Sequence, residues 1–207
     1  MARLRDKRQR GSTMIEFALV MVCAIPLFFG TVAIGIGLRR ADEAVQVTRD
    51  IAHMYATGLD FTSTDAQQLV TSLTTGFDLS STGNSLMIFS QISTVFTADC
   101  TAASISPCTN AGKPVFVQRV TIGNTSLNTS AFGTPGSTYL NSLGNIAASN
   151  YMTQSSLVAN NFSSLLTQND GDIAYVVEGY FSMPDLSFLN YGFSSSATGG
   201  FYVRAIF

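Results

Sequence analysis

A single carboxylate, Glu16, stands at the start of a long apolar segment, and its position makes it a candidate for chemistry. It is the fifth residue after Gly11, in the run Arg10-Gly11-Ser12-Thr13-Met14-Ile15-Glu16-Phe17. An unpartnered charge in a membrane segment costs about 2.5–3.5 kcal/mol at the helix centre and less near the interface. Glu16 is therefore a candidate for a functional contact. The alternative is a glutamate that only snorkels to the lipid headgroups.

The three cysteines differ in their surroundings. Cys23 lies inside the apolar segment, whereas Cys100 and Cys108 lie close together in a polar stretch. A bridge between these two would close a loop of about nine residues and contribute roughly 2–3 kcal/mol, in an oxidising compartment. Two free thiols in a surface loop are the alternative. A metal site lacks further ligands, because the only histidine, His53, is far away in sequence.

Enzyme chemistry finds little support in the residue pattern. His53 is the only histidine, and no Gly-x-Ser-x-Gly elbow accompanies it. The run Asn169-Asp170-Gly171-Asp172 lacks the regular acidic spacing and the distal glutamate of a calcium loop, and it is typical of a turn before a strand. The sequence therefore predicts a protein that is not an enzyme and that binds no cofactor or metal.

The charges are unevenly placed along the chain. Residues 1–10 are strongly basic, whereas the part after residue 50 has only Lys113, Arg119 and Arg204 against a larger number of acids. Binding to nucleic acid depends on several cations gathered on one face. The body of the protein cannot supply them, so we expect no nucleic-acid partner.

An uncharged segment of 22 residues, Phe17 to Leu38, is the strongest structural signal in the chain. As a helix it would be about 33 Å long, which matches the hydrocarbon core of a bilayer. The basic residues before it favour a cytoplasmic N-terminus and an exported C-terminal part. Arg39 and Arg40 on the other flank oppose this orientation, but three acids follow them and the N-terminal excess is larger.

Two other interpretations of this segment stay open. A cleavable secretory signal would also begin with basic residues, and Ala33 with Gly35 has the small-x-small spacing of its cleavage site. The segment is long for such a signal. A buried helix of a soluble protein would need a larger domain around it. We therefore favour a membrane anchor.

The run around Gly11 resembles the processing signal of type IV pilin-class prepilins. In that class a membrane peptidase cuts after the glycine on the cytoplasmic face. The resemblance implies cleavage between Gly11 and Ser12, and a glycine offers the protease a backbone without a side chain. It also implies that Glu16, then the fifth residue, pairs with the new amine of Ser12, either at processing or across neighbouring subunits of a filament.

Within that class, the first 60 residues resemble the TadE-like pseudopilins of Tad pilus assembly systems. The likeness rests on Glu16-Phe17, on Pro26 and on the polar-aromatic run Arg49-Asp50-Ile51-Ala52-His53-Met54-Tyr55-Ala56-Thr57-Gly58. The segment from Asp172 to Phe181 looks similar to the family's C-terminal strands. The family's acidic residue late in the span is absent here, and Gly35 and Gly37 lie in that region. The exported part is also longer than in compact members of the family.

The rest of the chain is typical of a small mixed domain. The first helix is predicted to continue to a cap at Gly58, and a second to run from Ser63 and Thr64 to Gly76 with an apolar stripe. Strands are predicted where β-branched and aromatic residues cluster between turns: Leu86 to Phe96, Val115 to Ile122, Ile173 to Phe181, and Phe201 to Phe207. Residues 123–170 are predicted to form long loops, with a possible helix from Val158 to Leu166.

These observations predict an α+β fold, with a long N-terminal transmembrane helix followed by a small antiparallel sheet and one or two packed helices. The expected parts are a basic leader (1–11), a transmembrane helix that continues outside the membrane (12–58) and an exported domain (59–207). The resemblance implies a minor pilin or pseudopilin in the bacterial inner membrane. Its partners would be the membrane, a prepilin peptidase, other pilins or pseudopilins, and the pilus assembly platform. The alternative is an anchored or secreted β-rich binding domain, such as an adhesin, with no role in pilus assembly.

Overall fold

A computed structural model describes the backbone of residues 2–74, 76–182 and 200–207, and the side chains of these ranges from Thr13 onward. Its elements are α1 (Ala2–Ala56), α2 (Thr64–Leu73), β1 (Ser85–Thr94), α3 (Thr97–Ala102), β2 (Pro114–Gly123), α4 (Ala148–Tyr151), β3 (Ile173–Ser182) and β4 (Gly200–Ile206), with short 3-10 helices at Ser137–Tyr139 and Ser155–Leu157. The predicted α+β class is confirmed. The chain divides into two compact units, Met1–Asp42 and Glu43–Phe207.

The end of α1 is closed by the predicted glycine cap. Gly58 has a φ of +95°, and its N–H bonds to the carbonyl of Tyr55 while the N–H of Leu59 bonds to that of Met54. This pair of bonds satisfies carbonyls that the last helical turn leaves without partners, and a residue without a Cβ adopts the conformation at little cost. The helix therefore stops at a defined point before the second unit's remaining elements.

The sheet of the second unit has the strand order β2-β1-β3-β4, and all neighbours are antiparallel. The four predicted strands are confirmed to within two residues at each end. β1 and β3 are central, and both of their faces are buried. The register between β1 and β2 shifts between Gln91 and Ile92, which marks an irregularity in that pair.

The first face of the sheet packs against the C-terminal turns of α1. One stripe of that helix is buried, at a spacing of three to four residues: Ala44, Thr48, Ile51, Ala52 and Tyr55. Tyr55 lies at the centre, with ring centroids of Phe89 and Tyr175 at 5.5 and 5.3 Å. Its hydroxyl donates to Gln118 Oε1 at 2.9 Å, so the polar tip of the ring is satisfied inside the core.

Helix α2 covers the same side, but with a narrower stripe than its sequence predicts. Ser63 caps its N-terminus by accepting from the N–H of Ala66, as expected for a serine there. Ala66 and Val70 are buried, whereas Leu69 and Leu73 are about two-fifths exposed. The helix therefore contacts the core along an i, i+4 line only.

The second face of the sheet is covered by the long connection between β2 and β3. Buried side chains from this connection meet those of the strands in one cluster: Ile92, Phe116, Phe132, Ile146, Leu157, Phe162, Ala174 and Val176. The predicted helix from Val158 to Leu166 is wrong. Val158 forms a bridge with Val115 and Asn161 has a φ of +58°, so the backbone leaves the helical region where that helix would begin.

Candidate functional site

The predicted processing motif lies within α1. Gly11, Ser12 and Glu16 all have helical backbone, so the bond between Gly11 and Ser12 is part of a helix. Ser12 and Glu16 are four residues apart, which is about 6 Å along the axis and on one face of the helix. The Glu16 side chain is exposed. A helix that began at Ser12 would place its amine one turn from this carboxylate.

The helix dipole adds to that arrangement. The first turn of a helix carries a partial positive charge, which stabilises a nearby carboxylate by about 0.3–1 kcal/mol at an exposed site. In the present chain Glu16 lies well inside α1, which begins at Ala2. Removal of residues 1–11 would bring it close to a helix N-terminus, so cleavage would change its electrostatic surroundings.

The part of α1 after Glu16 presents apolar side chains on all sides. Phe17, Leu19, Leu27 and Phe28 are each more than 60% exposed. The segment Thr13–Ala56 is long and apolar enough to cross a membrane. A surface of this kind is stable when lipid or other apolar helices cover it.

Cys100 and Cys108 form a disulfide, with their Cα atoms 6.0 Å apart. Helix α3 carries Cys100, which is 2% exposed and packs with Val95, Val115 and Met152. The bridge therefore fastens the loop after α3 to the end of the sheet.

Asn110 gives the same loop a second attachment. Its side-chain amide donates to the carbonyls of Tyr151 at 2.8 Å and Gln154 at 2.7 Å, and its own N–H donates to the carbonyl of Met152. Asn110 is fully buried. These bonds join the disulfide loop to α4, so two distant parts of the chain form one corner of the domain.

A buried carboxylate, Glu178, lies at the centre of the second sheet face, and the sequence analysis did not single it out. It is fully buried and accepts hydrogen bonds from the hydroxyl of Ser130, from the N–H of Ala131 at 2.9 Å and from the hydroxyl of Tyr202 at 3.0 Å. Ser130 and Ala131 belong to the long β2–β3 connection. Glu178 thus holds that connection on the sheet.

Arg119 completes the cluster through Ser130. One terminal nitrogen of its guanidinium donates to Ser130 Oγ at 3.4 Å and to the carbonyl of Gly133 at 2.9 Å. The guanidinium lies over the ring of Phe116, 4.5 Å from the centroid. Burial lowers the pKa of Arg119 to about 10, although the nearby Glu178 opposes the shift.

The tyrosines around Glu178 are kept neutral. Burial first, and then the charge of Glu178, raise the pKa of Tyr180 to about 12 and raise that of Tyr202 as well. Tyr180 donates its hydroxyl proton to the carbonyl of Thr129 at 2.8 Å. The cluster formed by Glu178, Ser130, Arg119, Tyr180 and Tyr202 is a set of interlocking hydrogen bonds within the fold.

One signal in the sequence could have revealed this cluster. Glu178 stands in the middle of a strand whose same-face neighbours are Val176 and Tyr180. A carboxylate on an otherwise apolar strand face is buried only with hydrogen-bonding partners. The identity of those partners depends on contacts across nearly 50 residues of loop, which no local pattern shows.

An open cleft of about 440 Å³ lies beside the disulfide corner. Its walls include Val95, Met152 and Ile173, and its polar groups include Asp99 and Tyr151. The carboxylate of Asp99 already accepts from the N–H of Phe96 at 2.8 Å. Among residues whose side chains the structure describes, no group of three or more His, Cys, Asp or Glu is placed to hold a metal ion.

The described residues define an α+β protein with one helix able to cross a membrane and a disulfide-bonded domain. Comparison with protein-family models, with curated proteins and with solved structures finds no match.

Proposed function

We propose that this protein is a minor pilin-like or pseudopilin-like structural component of a Tad-type pilus assembly or secretion system. A prepilin peptidase cuts it after Gly11, and residues 12 to about 38 anchor it in the bacterial inner membrane. The N-terminus lies in the cytoplasm, and the β-rich domain lies in the periplasm or outside the cell. Its partners are other pilins or pseudopilins and the assembly platform.

The observation that carries the proposal is the placement of Ser12 and Glu16 one turn apart, just before an apolar and exposed helical surface. An amine created at Ser12 and the carboxylate of Glu16 neutralise each other, within one helix or between neighbouring helices. Pairing lowers the cost of holding either charge at the membrane boundary. A simple membrane tether does not require this arrangement.

The disulfide supports the direction of export. Disulfides persist in the periplasm and outside the cell, whereas cytosolic thiols are kept reduced. Cys100 and Cys108 both lie in the domain that follows the span. The orientation with a cytoplasmic N-terminus therefore places the bridge in a compartment that maintains it.

Intact-mass measurement of the protein from its native membrane tests the processing step. The proposal requires a mature N-terminus at Ser12. An uncut Met1, or a terminus at Ile36 as a secretory signal would leave, contradicts it. Replacing Gly11 by leucine should leave residues 1–11 attached, since a bulky side chain then stands at the cleavage position.

The carboxylate is tested by replacing Glu16 with glutamine, which keeps the shape and removes the charge. We expect loss of processing or of incorporation into the assembly, while membrane insertion continues. The matched control is Asp50→Asn, which removes an exposed acid on the same helix beyond the span. If both variants assemble like the parent, the protein is an anchored binding domain, and the pilin proposal fails.

A further inference from the structure

The two edges of the sheet differ in whether other parts of the described chain form hydrogen bonds to their outer backbone groups. At the β2 edge the long connection supplies partners for the outer backbone groups: the N–H of Arg119 bonds to the carbonyl of Gly144, and the carbonyl of Val117 accepts from Ile146. Further along, the carbonyl of Pro114 accepts from Ala159. The long connection therefore covers this edge from Pro114 to Arg119.

The backbone of β4 is bonded on one side only within the described residues. Tyr175 and Phe207 exchange both of their backbone hydrogen bonds, and the register pairs Gly179 with Val203. Because antiparallel pairs alternate, residues 201, 203, 205 and 207 point their N–H and C=O groups towards β3. Tyr202, Arg204 and Ile206 point theirs outward, where no described residue bonds to them.

Two of the usual protections of an edge strand, a proline and a bulge, are missing from the described strand β4. It contains no proline, and its register with β3 has no bulge. Its one charged residue, Arg204, extends over the ring of Phe132, with 5.3 Å to the centroid. Aromatic and β-branched residues make up most of the strand. Such an edge is a template for another strand.

We propose that β4 pairs antiparallel with β4 of a second copy of this chain, centred on Val203. Val203 is the middle residue of Gly200–Ile206, so this register uses the whole strand. It also brings the outward-pointing residues opposite one another, with Tyr202 of each copy facing Arg204 of the other. A guanidinium beside a tyrosine ring is a favourable cross-strand pair.

The two neighbouring registers of this strand pair are less favourable. Centring the pair on Arg204 places two guanidinium groups opposite each other, and like charges in that position are destabilising. Centring it on Tyr202 shortens the overlap within β4. The strand is therefore complementary to itself in one register, which is why the occupant is a second copy.

This pairing makes a closed dimer. It joins two four-stranded sheets into one of eight strands, and the two outer edges are then both β2, which the long connection covers from Pro114 to Arg119. A two-fold contact of this kind uses the same surface on both copies and does not propagate. The inference is independent of the processing at Gly11 and goes beyond the proposed function.

Cysteine cross-linking of the full chain in detergent micelles tests the register. In a background with Cys23→Ser, Val203→Cys would face its own copy in a non-hydrogen-bonded pair, with Cα atoms about 4.5 Å apart, within the range of a disulfide. We expect mild oxidation to double the mass of most of this variant. The control is Thr121→Cys, at an exposed position on β2, which should form no covalent cross-link.

A Val203→Cys variant that does not cross-link, or a Thr121→Cys variant that cross-links equally, overturns the proposal. Hydrogen exchange on the unsubstituted chain gives a second reading. The outward amides of Tyr202 and Arg204 should gain protection as protein concentration rises, while the amides of Val203 and Ala205 stay protected throughout. Protection of the outward amides that does not change with concentration means that the chain covers its own edge, and it overturns the proposal.

Discussion

Replacing Glu178 with alanine should destabilise the second unit more than any other single loss of a charge. The carboxylate accepts three hydrogen bonds, and hydrogen bonds to a charged group contribute about 1.5–3 kcal/mol each. The three do not add, because Tyr202 is 44% exposed and its hydroxyl can turn to water. Ser130 is 8% exposed, and it loses its acceptor in a place water reaches poorly.

The expected loss of unfolding free energy is therefore about 3–5 kcal/mol, the range typical of removing one partner from a buried charged cluster. Glu178→Gln keeps the volume and one acceptor oxygen. Its amide oxygen can still accept from Ala131 and Tyr202, so we expect a smaller loss of about 1–2 kcal/mol. Glu178→Gln removes the charge but keeps an acceptor, whereas Glu178→Ala removes both. The difference between their unfolding free energies therefore measures the cost of leaving the hydrogen-bond donors around Glu178 without an acceptor.

Thermal unfolding followed by near-ultraviolet circular dichroism is the appropriate assay, since the tyrosines around Glu178 report on the packing of the β2–β3 connection. For a domain of this size each kcal/mol shifts Tm by about 2–4 °C. The alanine variant should lose about 6–20 °C. The control, Asp170→Asn, removes an exposed acid and should change Tm little. An alanine variant that melts within about 2 °C of the parent would refute the reasoning.

Three further perturbations follow from particular contacts. Burial and the charge of Glu178 raise the pKa of Tyr180 to about 12. An unfolded tyrosine loses its proton near pH 10, so the stability that Tyr180 contributes should fall between pH 10 and 12. Tm measured across that range should therefore fall less steeply for Tyr180→Phe than for the parent, while Arg119, whose pKa burial lowers to about 10, contributes in the opposite sense in both proteins. Gly58 has a φ of +95° and open space for a Cβ, so Gly58→Ala should lower the free energy of unfolding by about 1 kcal/mol in denaturant titrations. Gly123→Ala should cost clearly more, because its Cβ would lie 2.3 Å from a backbone carbonyl oxygen. Equal losses for the two variants would contradict the steric argument. Replacing both Cys100 and Cys108 by serine should lower stability by about 2–3 kcal/mol, and a reducing agent should then have no further effect on Tm.

The parts of the fold that the sequence predicted are those with local signals. Gly58 marks the end of α1 because only the terminal turn needs its positive φ, and Ser63 marks the start of α2 because its hydroxyl caps the helix. The strands follow from clusters of β-branched and aromatic residues between turns. Each of these signals lies within about ten residues of sequence. The strand signal also holds for β1 and β3, although both faces of these strands are buried.

The layer over the second sheet face could not be predicted in the same way. It has almost no regular structure, and its position depends on contacts such as Ser130 with Glu178, which are 48 residues apart. Val158 to Leu166 was a possible helix within the predicted loops, but Val158 forms a bridge with Val115. Leu69 and Leu73 fit the predicted stripe of α2, yet they remain partly exposed, whereas Ala66 and Val70 are buried.

The two candidate sites also differ in whether their residues are close together in sequence. Gly11, Ser12 and Glu16 were found because their spacing is local, and the structure adds that one helical turn separates the last two. The buried cluster was missed because its members come from β2, β3, β4 and the connection. A charged residue such as Glu178 looks like a surface residue until its strand is known to be covered on both faces.

Two adjacent residues of β3 explain how one strand supports layers on both faces. On the first face, a Cβ at Gly179 would lie 3.0 Å from Thr48 Oγ and 2.7 Å from the ring of Phe181, so the absence of a side chain lets α1 approach the sheet closely. On the second face, Glu178 binds the loop at Ser130 and Ala131. Side chains alternate along a strand, so neighbouring positions can serve opposite layers. A shift of β3 by one residue would place the carboxylate against α1 and leave the loop without its acceptor, and the pair therefore fixes the register of the strand as well as the packing on each side.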